Sequence, residues 1–170
     1  MLSKLSLSIV KILMKTFPEY PDPNDLSHFE IFRHNQYKQD SIEKQNELKL
    51  KAALSRYNYE SEDCAIEKWF PNISSDEFRG KSVLDLGCSN GGCLVYWKER
   101  YQFGDTKGID INPIEEEAGR LFSKQKGVDI EFRTDYAEDL PYESNSFDFI
   151  ISFDVFEHVR NVEKVMNECF

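Results

Sequence analysis

The chain has 170 residues and a formal net charge of −10, and its residues are 40% hydrophobic and 14% aromatic. This composition supports a packed core and excludes a disordered chain, while the length suits one domain, or part of a domain with an extension. The acidic balance argues against a general nucleic-acid-binding protein, whose phosphate contacts need a basic face, so no nucleic-acid partner is expected.

The cysteine pattern gives no sign of a metal site. Cys64, Cys88, Cys93 and Cys169 form no C-x-x-C pair, and the chain has only three histidines, so no zinc pattern is present. We therefore predict no bound metal, and free thiols in a reducing cytoplasm. Cys88 lies in a glycine loop, where a reactive thiol is the alternative to a small residue tolerated beside a ligand.

Residues 2–17 have the pattern of an amphipathic helix. Lys4, Lys11 and Lys15 fall on one narrow stripe opposite a broad apolar face. Lys11 interrupts the apolar run well short of the about 20 residues that a membrane span needs. A helix docked on the protein or a partner, a weak contact with a membrane surface and a targeting segment all fit this pattern. The proline-rich residues 18–23 predict an extended linker.

Two more helices are predicted before the first strand. One runs from Asp40 to Tyr57, with Ser41 as its N-cap and acids alternating with bases on its solvent face. The run Tyr57-Asn58-Tyr59 is expected to end it. The other runs from about Asp63 to Phe70 and stops before a proline. We interpret residues 1–80 as an N-terminal helical extension and linker.

Strands and helices alternate over residues 81–170. The predicted strands are Lys81–Leu86, Thr106–Ile111, Val128–Arg133 and Phe147–Phe153. The predicted helices are about Cys93–Tyr101, Ile114–Lys126 and Val155–Phe170. This alternation is typical of the α/β fold class, with a parallel sheet that helices cover on both faces.

Polar residues lie at or just after the carboxyl end of every predicted strand, where ligands of parallel sheets bind. They are Asp85 with the glycine loop 87–92, then Asp110, Asp135 and the segment 152–154. Because the carboxyl ends of parallel strands meet at one edge, we expect these groups to form one site. The spacing from Gly87 to Asp110 is about that between a phosphate-type loop and a ribose-binding acid.

The glycine loop departs from the dinucleotide-binding fingerprint. Ser89 stands where the second glycine of G-x-G-x-x-G belongs, and Asp85 precedes the first glycine, Gly87, by two residues. A carboxylate there is unfavourable beside a pyrophosphate but stabilises an amino group or a sulfonium. The pattern therefore favours a nucleoside with a positively charged tail. A dinucleotide, and with it an NAD-dependent oxidoreductase, is the competing interpretation.

Residues 81–170 resemble class I S-adenosylmethionine-dependent methyltransferases of the group that acts on small molecules and lipids. The resemblance rests on five blocks in order: Val83–Gly91, Gly108–Asn112, Ala137–Tyr142, Ser146–Ser152 and Asp154–Val159. It implies a partial Rossmann-like doubly wound sheet of about four strands in the order 3-2-1-4. It also implies S-adenosyl-L-methionine as cofactor, a small-molecule or lipid methyl acceptor, and a chain truncated before the last strands of the fold.

The same resemblance implies which residues meet the methionine part of the cofactor. Asp85 and the backbone at Gly87, Ser89 and Gly91 would face it, and Phe153 would line the floor of the pocket. As an alternative to ligand binding, Asp85 caps the loop that follows.

For the nucleoside, the resemblance implies that Asp110 binds the ribose hydroxyls and Ile111 lies against the adenine. Asp135, Tyr136 and Ala137 would meet the adenine amino edge. The alternatives are that Asp110 is a helix N-cap and that Asp135 is a turn residue.

Asp154, Glu157 and His158 are predicted to share one helix face. His158 is a candidate general base for the acceptor's proton, and a histidine that lines or supports the pocket is the alternative. The competing interpretation of the whole domain is a non-catalytic remnant or interaction module that keeps the fold.

Overall fold

The computed structural model describes residues 41–69 and 71–170, and the predictions for the amphipathic segment and the proline-rich linker lie outside them. The helices are α1 (Ile42–Asp63), α2 (Ala65–Trp69), α3 (Gly92–Tyr101), α4 (Pro113–Lys126) and α5 (Val162–Cys169). The strands are β1 (Val83–Leu86), β2 (Thr106–Asp110), β3 (Glu131–Thr134) and β4 (Phe149–Ile151), and a short 3-10 helix spans Ser75–Glu77. Within the described ranges, no helix is long and apolar enough to cross a membrane.

The four strands form one parallel sheet in the order β3-β2-β1-β4. Asp85, near the end of β1, pairs with Gly108 of β2 on one side and with Ile151 of β4 on the other. All four carboxyl ends therefore lie at one edge. The predicted α/β fold class and the strand order 3-2-1-4 are confirmed. All four strands are shorter than predicted, and β3 ends at Thr134, one residue beyond its predicted end.

Helix α1 is longer than predicted. Ser41 caps it as expected, with its Oγ accepting a hydrogen bond from the N–H of Lys44 at 3.3 Å. The predicted end at Tyr57 is wrong, because the helix continues to Asp63. The Tyr57 ring packs edge-on against Tyr96 and Phe122, with centroids 5.5 and 5.9 Å away. This packing outweighs the weak helix propensity of the Tyr-Asn-Tyr run.

Helix α1 ends at a residue in the left-handed conformation, Cys64 (φ 49°). The predicted second helix, Asp63–Phe70, is therefore the shorter α2, which starts only after this turn. Ala53 of α1 and Ile66 of α2 are buried in the same apolar core as Val83 of β1. Helices α1 and α2 thus pack on the sheet domain, and a domain boundary near residue 80 stays a prediction.

Gly92, the first residue of α3, lets α1 approach closely. A Cβ at this position would lie 2.3 Å from the carbonyl oxygen of Ala53, 2.8 Å from the Cβ of Arg56 and 2.9 Å from the backbone nitrogen of Tyr57. Two of these three atoms belong to the α1 backbone, which cannot rotate away. Any side chain at Gly92 therefore requires α1 to move.

The predicted helix Val155–Phe170 is wrong in its first half. Asp154 has a left-handed backbone (φ 56°), and residues 152–161 form turns. Helix α5 begins only after Asn161, whose side chain accepts a hydrogen bond from the N–H of Lys164 at 2.9 Å. Asp154, Glu157 and His158 therefore do not share a helix face.

The contact at Gly92 generates the first prediction. Gly92→Ala should lower the free energy of unfolding by about 1–3 kcal/mol, as overpacking of a tight contact does. Urea denaturation followed by circular dichroism measures it. Ser55→Ala, on the exposed side of α1, is the control and should change stability by less than about 0.5 kcal/mol. Equal stability of Gly92→Ala and the wild type would contradict the close packing of α1 on α3.

Candidate active site

Two adjoining cavities open at the carboxyl edge of the sheet. The first, of about 340 Å³, is bordered by the segments that follow all four strands, and the second, of about 350 Å³, lies between the glycine loop and helices α1 and α2. They share one wall: Arg56, Gly87, Ser89, Phe153 and Asp154. The sheet edge thus presents one elongated, two-part site.

Nine of the ten residues predicted to meet a cofactor line this site. Eight of them line the first cavity: Gly87, Ser89, Asp110, Ile111, Asp135, Tyr136, Ala137 and Phe153. Asp85 lines the second cavity. Gly91 lines neither cavity. A Cβ on it would lie 2.6 Å from the ring of Phe132, so its lack of a side chain serves the packing of β3.

The glycine loop is held against β2 by backbone hydrogen bonds. The N–H groups of Gly87 and Cys88 both donate to the carbonyl of Ile109, at 2.8 and 2.9 Å. Gly87 has φ +81°, and a Cβ on it would lie 2.2 Å from Cγ2 of Val155. Only glycine therefore allows the loop after β4 to lie against the loop after β1.

The carboxylate of Asp110 is fixed by the backbone around it. Its two oxygens accept hydrogen bonds from the N–H of Ser89 at 2.8 Å and of Asn112 at 2.9 Å. The N-cap of α4 is Asn112, which accepts from the N–H of Ile114 at 3.0 Å. The alternative of Asp110 as helix N-cap is therefore wrong. A carboxylate oriented in this way can also accept hydrogen bonds from a vicinal diol at the mouth of the first cavity.

Asp85 is a buried acid that borders the second cavity, with only 4% of its surface exposed. The pKa of its carboxyl is raised to about 8, mainly by burial and also by the carboxylates of Asp110 and Glu60, against the Arg56 guanidinium, which lowers it. The Asp85 carboxyl forms neither a hydrogen bond nor an ion pair with any of the described residues. A buried carboxyl without a partner is stabilised in its charged form by a cation, so this position suits an ammonium group.

The outer wall of the first cavity is formed by two loops joined through Glu138. Its Oε1 accepts hydrogen bonds from the backbone N–H of Arg160 at 2.8 Å and of Asn161 at 3.4 Å. The Arg160 guanidinium lies 5.4 Å from the centroid of the Tyr136 ring. Tyr136 and Ile111 expose 43% and 39% of their surface, which provides apolar faces suited to a flat base.

The structure also identifies site residues that the sequence did not suggest. Arg56 of α1 lines both cavities, and Glu60, one helical turn later, lines the second. Glu60 is 3% exposed and accepts hydrogen bonds from Trp97 Nε1 at 2.7 Å and from the N–H of Ala65 at 2.9 Å. In the sequence, the i, i+4 spacing of Arg56 and Glu60 is the available signal, but the predicted helix end at Tyr57 places Glu60 outside the helix.

The residues considered for proton transfer, metal binding and thiol chemistry are less well placed for those roles. His158 is exposed at the rim of the first cavity, in a turn where its N–H donates to the carbonyl of Val155. Across residues 41–69 and 71–170, no group of three His, Cys, Asp or Glu residues could hold a metal ion. Burial, together with the carboxylates of Asp85 and Asp110, raises the pKa of Cys88 well above its ordinary value. Its thiol therefore stays protonated near neutral pH, which disfavours a reactive role.

A parallel sheet of this order, with a glycine loop and an acid at the ends of β1 and β2, is typical of the Rossmann-like fold class. Residues 84–170 match the family model described as methyltransferase domain. The chain belongs to this methyltransferase family.

Two curated relatives show the extent of the similarity. The chain is 32% identical over 102 residues to norajmaline N-methyltransferase from Rauvolfia serpentina, covering 58% of this chain and 35% of that protein. It is 32% identical over 92 residues to a ubiquinone biosynthesis O-methyltransferase from Chelativorans, covering 54% of this chain and 36% of that protein. The chain thus spans little more than a third of the length of these relatives.

Solved structures share the fold. The PH0226 protein from Pyrococcus horikoshii is 27% identical with a TM-score of 0.56, covering 65% of this chain and 51% of that chain. A SAM-dependent methyltransferase from Aquifex aeolicus is 22% identical with a TM-score of 0.53, covering 61% and 55%.

The second prediction follows from the raised pKa of Asp85. In the folded chain this pKa is about 8, above the ordinary 3.8, so the folded state holds the proton more tightly than the unfolded state. The stabilising contribution is complete below about pH 4 and is lost as the pH rises toward about 8. Asp85→Asn should therefore gain stability relative to the wild type as the pH rises, by at most about 1.4 kcal/mol per pH unit.

Urea denaturation at a series of pH values in the absence of ligand measures this difference. Asp129→Asn removes an exposed carboxylate ahead of β3 and is the control for the loss of one carboxyl at the surface. A stability difference between Asp85→Asn and the wild type that does not change with pH would mean that Asp85 is ionised in the ligand-free protein.

Proposed function

We propose that this protein is an S-adenosyl-L-methionine-dependent methyltransferase whose cofactor lies across both cavities, with adenosine in the first and the methionine tail in the second. The observation that carries the proposal is the pair Asp85 and Asp110 at the ends of neighbouring strands. Open cavities, not packed side chains, adjoin both carboxyl groups. The Asp110 carboxylate is oriented to accept hydrogen bonds from a diol, and the Asp85 carboxyl is buried without a cation to pair with it.

In this proposal the methionine tail contacts the glycine loop and β1. Asp85 binds the ammonium group, and the backbone at Gly87 and Ser89 lies alongside the tail because no large side chain intervenes. Gly91 acts indirectly, by allowing the loop to turn against Phe132. Phe153, which packs on Trp97 with centroids 5.8 Å apart, forms the floor between the two parts of the site.

The nucleoside is proposed to lie in the first cavity. Asp110 accepts hydrogen bonds from the ribose hydroxyls, and Ile111 and Tyr136 offer apolar faces to the adenine. Asp135 and the backbone at Ala137 meet the adenine amino edge. Asp135 lines the first cavity, and this position supports the binding role, while the hydrogen bond that its Oδ1 accepts from the N–H of Tyr136 at 3.0 Å is also typical of a turn residue.

The bound cofactor would supply a methyl group already activated by its sulfonium. The residues of this chain therefore need to align the acceptor with that methyl group and to exclude water. His158 is proposed as the group that takes the acceptor's proton, since His158 and Asp154 both line the first cavity. The names of the relatives include both N- and O-methyltransferases, and we propose a small-molecule or lipid acceptor. The free cysteines of this chain suit the proposed cytoplasmic location.

The third prediction tests cofactor binding by the 170-residue chain. S-adenosylhomocysteine should bind and raise the melting temperature, while NAD should do neither. Asp110→Asn should weaken S-adenosylhomocysteine binding by roughly 10- to 100-fold, because hydrogen bonds to a charged group contribute about 1.5–3 kcal/mol. Isothermal titration calorimetry measures the affinities.

Asp129→Asn serves as the control for loss of one negative charge and should bind as the wild type does. Stabilisation by NAD instead of S-adenosylhomocysteine would support the oxidoreductase interpretation. Absence of any effect from either ligand would support a non-catalytic interaction module.

A further inference from the structure

The rim of the second cavity has two large aromatic side chains that are exposed. Tyr59 of α1 and Trp69, the last residue of α2, line this cavity with 58% and 67% of their surface exposed. Both lie outside the residues that match the family model. Exposed aromatic rings at the mouth of a cavity are typical of positions that bind a ligand or a partner. The proposed cofactor contacts involve neither ring.

The exposed apolar side chains of the described residues are concentrated at the two cavities. Seven large apolar side chains are exposed in this part of the chain, and four of them line the site. Ile111 and Tyr136 line the first cavity and are proposed to contact the adenine. Tyr59 and Trp69 line the second, where the methionine tail has no flat group to offer them. Their faces are therefore suited to a second ligand.

The second cavity is polar and buried at its floor, and aromatic at its rim. Asp85 and Trp97 are buried floor residues, whereas Tyr59 and Trp69 are exposed. The methionine tail is proposed to lie at the floor, beside Asp85. Because the cofactor's sulfur joins this tail to the nucleoside, the methyl group would lie near the wall that both cavities share. An acceptor that reaches the methyl group through the second cavity passes the two rings.

The faces of these rings are available for stacking. The Arg56 guanidinium lies 5.9 Å from the centroid of the Tyr59 ring, and among the described residues no other aromatic ring contacts Tyr59 or Trp69. A planar ring that stacks on an aromatic side chain gains about 0.5–1.5 kcal/mol beyond the area it buries. The rim therefore favours a planar ligand over a saturated one of equal size.

The charges of the second cavity disfavour an acidic ligand. Four carboxyl and two basic side chains of the described residues line it: Glu60, Asp63, Asp85, Asp154, Arg56 and Lys68. Lys68 forms an ion pair with Asp63 at 2.9 Å, so its charge is already matched. An anion at the rim would meet an excess of carboxyl groups. A neutral ring that carries a hydroxyl or an amino group avoids this cost.

We propose that Tyr59 and Trp69 bind the methyl acceptor, and that the acceptor is a planar aromatic molecule without an acidic group. The inference rests on the proposed function, since the methyl group comes from the cofactor. The acceptor's ring lies against Tyr59 and Trp69, and its hydroxyl or amino group points to the wall that both cavities share. Helices α1 and α2 thus select the acceptor, while the sheet edge binds the cofactor.

Three probes of related shape test the preference for a planar, neutral ring. 1-Naphthol is planar and neutral, 1-naphthoate is planar and anionic, and decahydro-1-naphthol has the same carbon skeleton without planarity. Calorimetric titration into the 170-residue chain saturated with S-adenosylhomocysteine measures the three affinities. The chain should bind 1-naphthol at least about fivefold more tightly than either of the other two probes.

Variants of the two rings test where 1-naphthol binds. Trp69→Ala and Tyr59→Ala should each weaken 1-naphthol roughly 5- to 20-fold, because stacking and burial are lost together, and leave S-adenosylhomocysteine within about twofold. Trp69→Phe keeps a ring and should recover most of the affinity. Leu54→Ala is the matched control, because it removes an exposed apolar side chain of α1 that lines neither cavity. It should change both affinities less than about twofold.

A fluorescence measurement tests a lipid surface as the other occupant. The chain has two tryptophans, of which Trp97 is buried, so quenching by acrylamide reports chiefly on Trp69. Phosphatidylcholine vesicles should leave this quenching unchanged. Protection of Trp69 by the vesicles would overturn the inference, since it would show that the rim contacts a membrane.

Three calorimetric results would also overturn the inference. They are no binding of 1-naphthol to the saturated chain, equal affinities for 1-naphthol and decahydro-1-naphthol, and equal weakening of 1-naphthol and S-adenosylhomocysteine by Trp69→Ala. The last result would indicate a structural role for the ring. All three leave the proposed function standing, because S-adenosylhomocysteine still binds the wild type. If it does not bind, the proposed function fails and the inference fails with it.

Discussion

The site depends on three close contacts that are possible only because Gly87, Gly91 and Gly92 have no side chain. At Gly87 the space is taken by Val155, at Gly91 by the ring of Phe132, and at Gly92 by the backbone of α1. Three separate parts of the chain thus converge on one short loop. Because each contact is with a different element, the loop fixes the positions of the β4 loop, β3 and α1 relative to β1.

The electrostatics of the site support the proposed cationic ligand. The end of β1 places Asp85 in the interior, where a negative charge is unfavourable. The fold provides no ion pair for it among the described residues, and places two further acids nearby. Such an arrangement is costly in the empty protein and is relieved when a positive group enters. This agrees with a ligand whose tail carries an ammonium or a sulfonium, and it disfavours a pyrophosphate.

The sheet and most of the site could be predicted from the sequence because their signals are local. Alternating apolar runs and turns gave four strands, and the polar residues after each strand gave the common edge. The errors arose where tertiary packing decides. Tyr57 remains helical because its ring packs on Tyr96, and Asp154 takes a left-handed backbone that delays α5. Arg56 could not be assigned to the site, since its place depends on how α1 crosses α3.

The hydrogen bonds that join the two outer loops limit which positions in these loops can change in sequence. Glu138 holds the segment before α5 through backbone N–H groups, which every residue except proline provides. The identities of residues 160 and 161 are therefore not constrained by this contact, whereas position 138 must supply an acceptor of the right length. The wall of the cavity can thus acquire new side chains, and with them a different selectivity, while its backbone keeps its position.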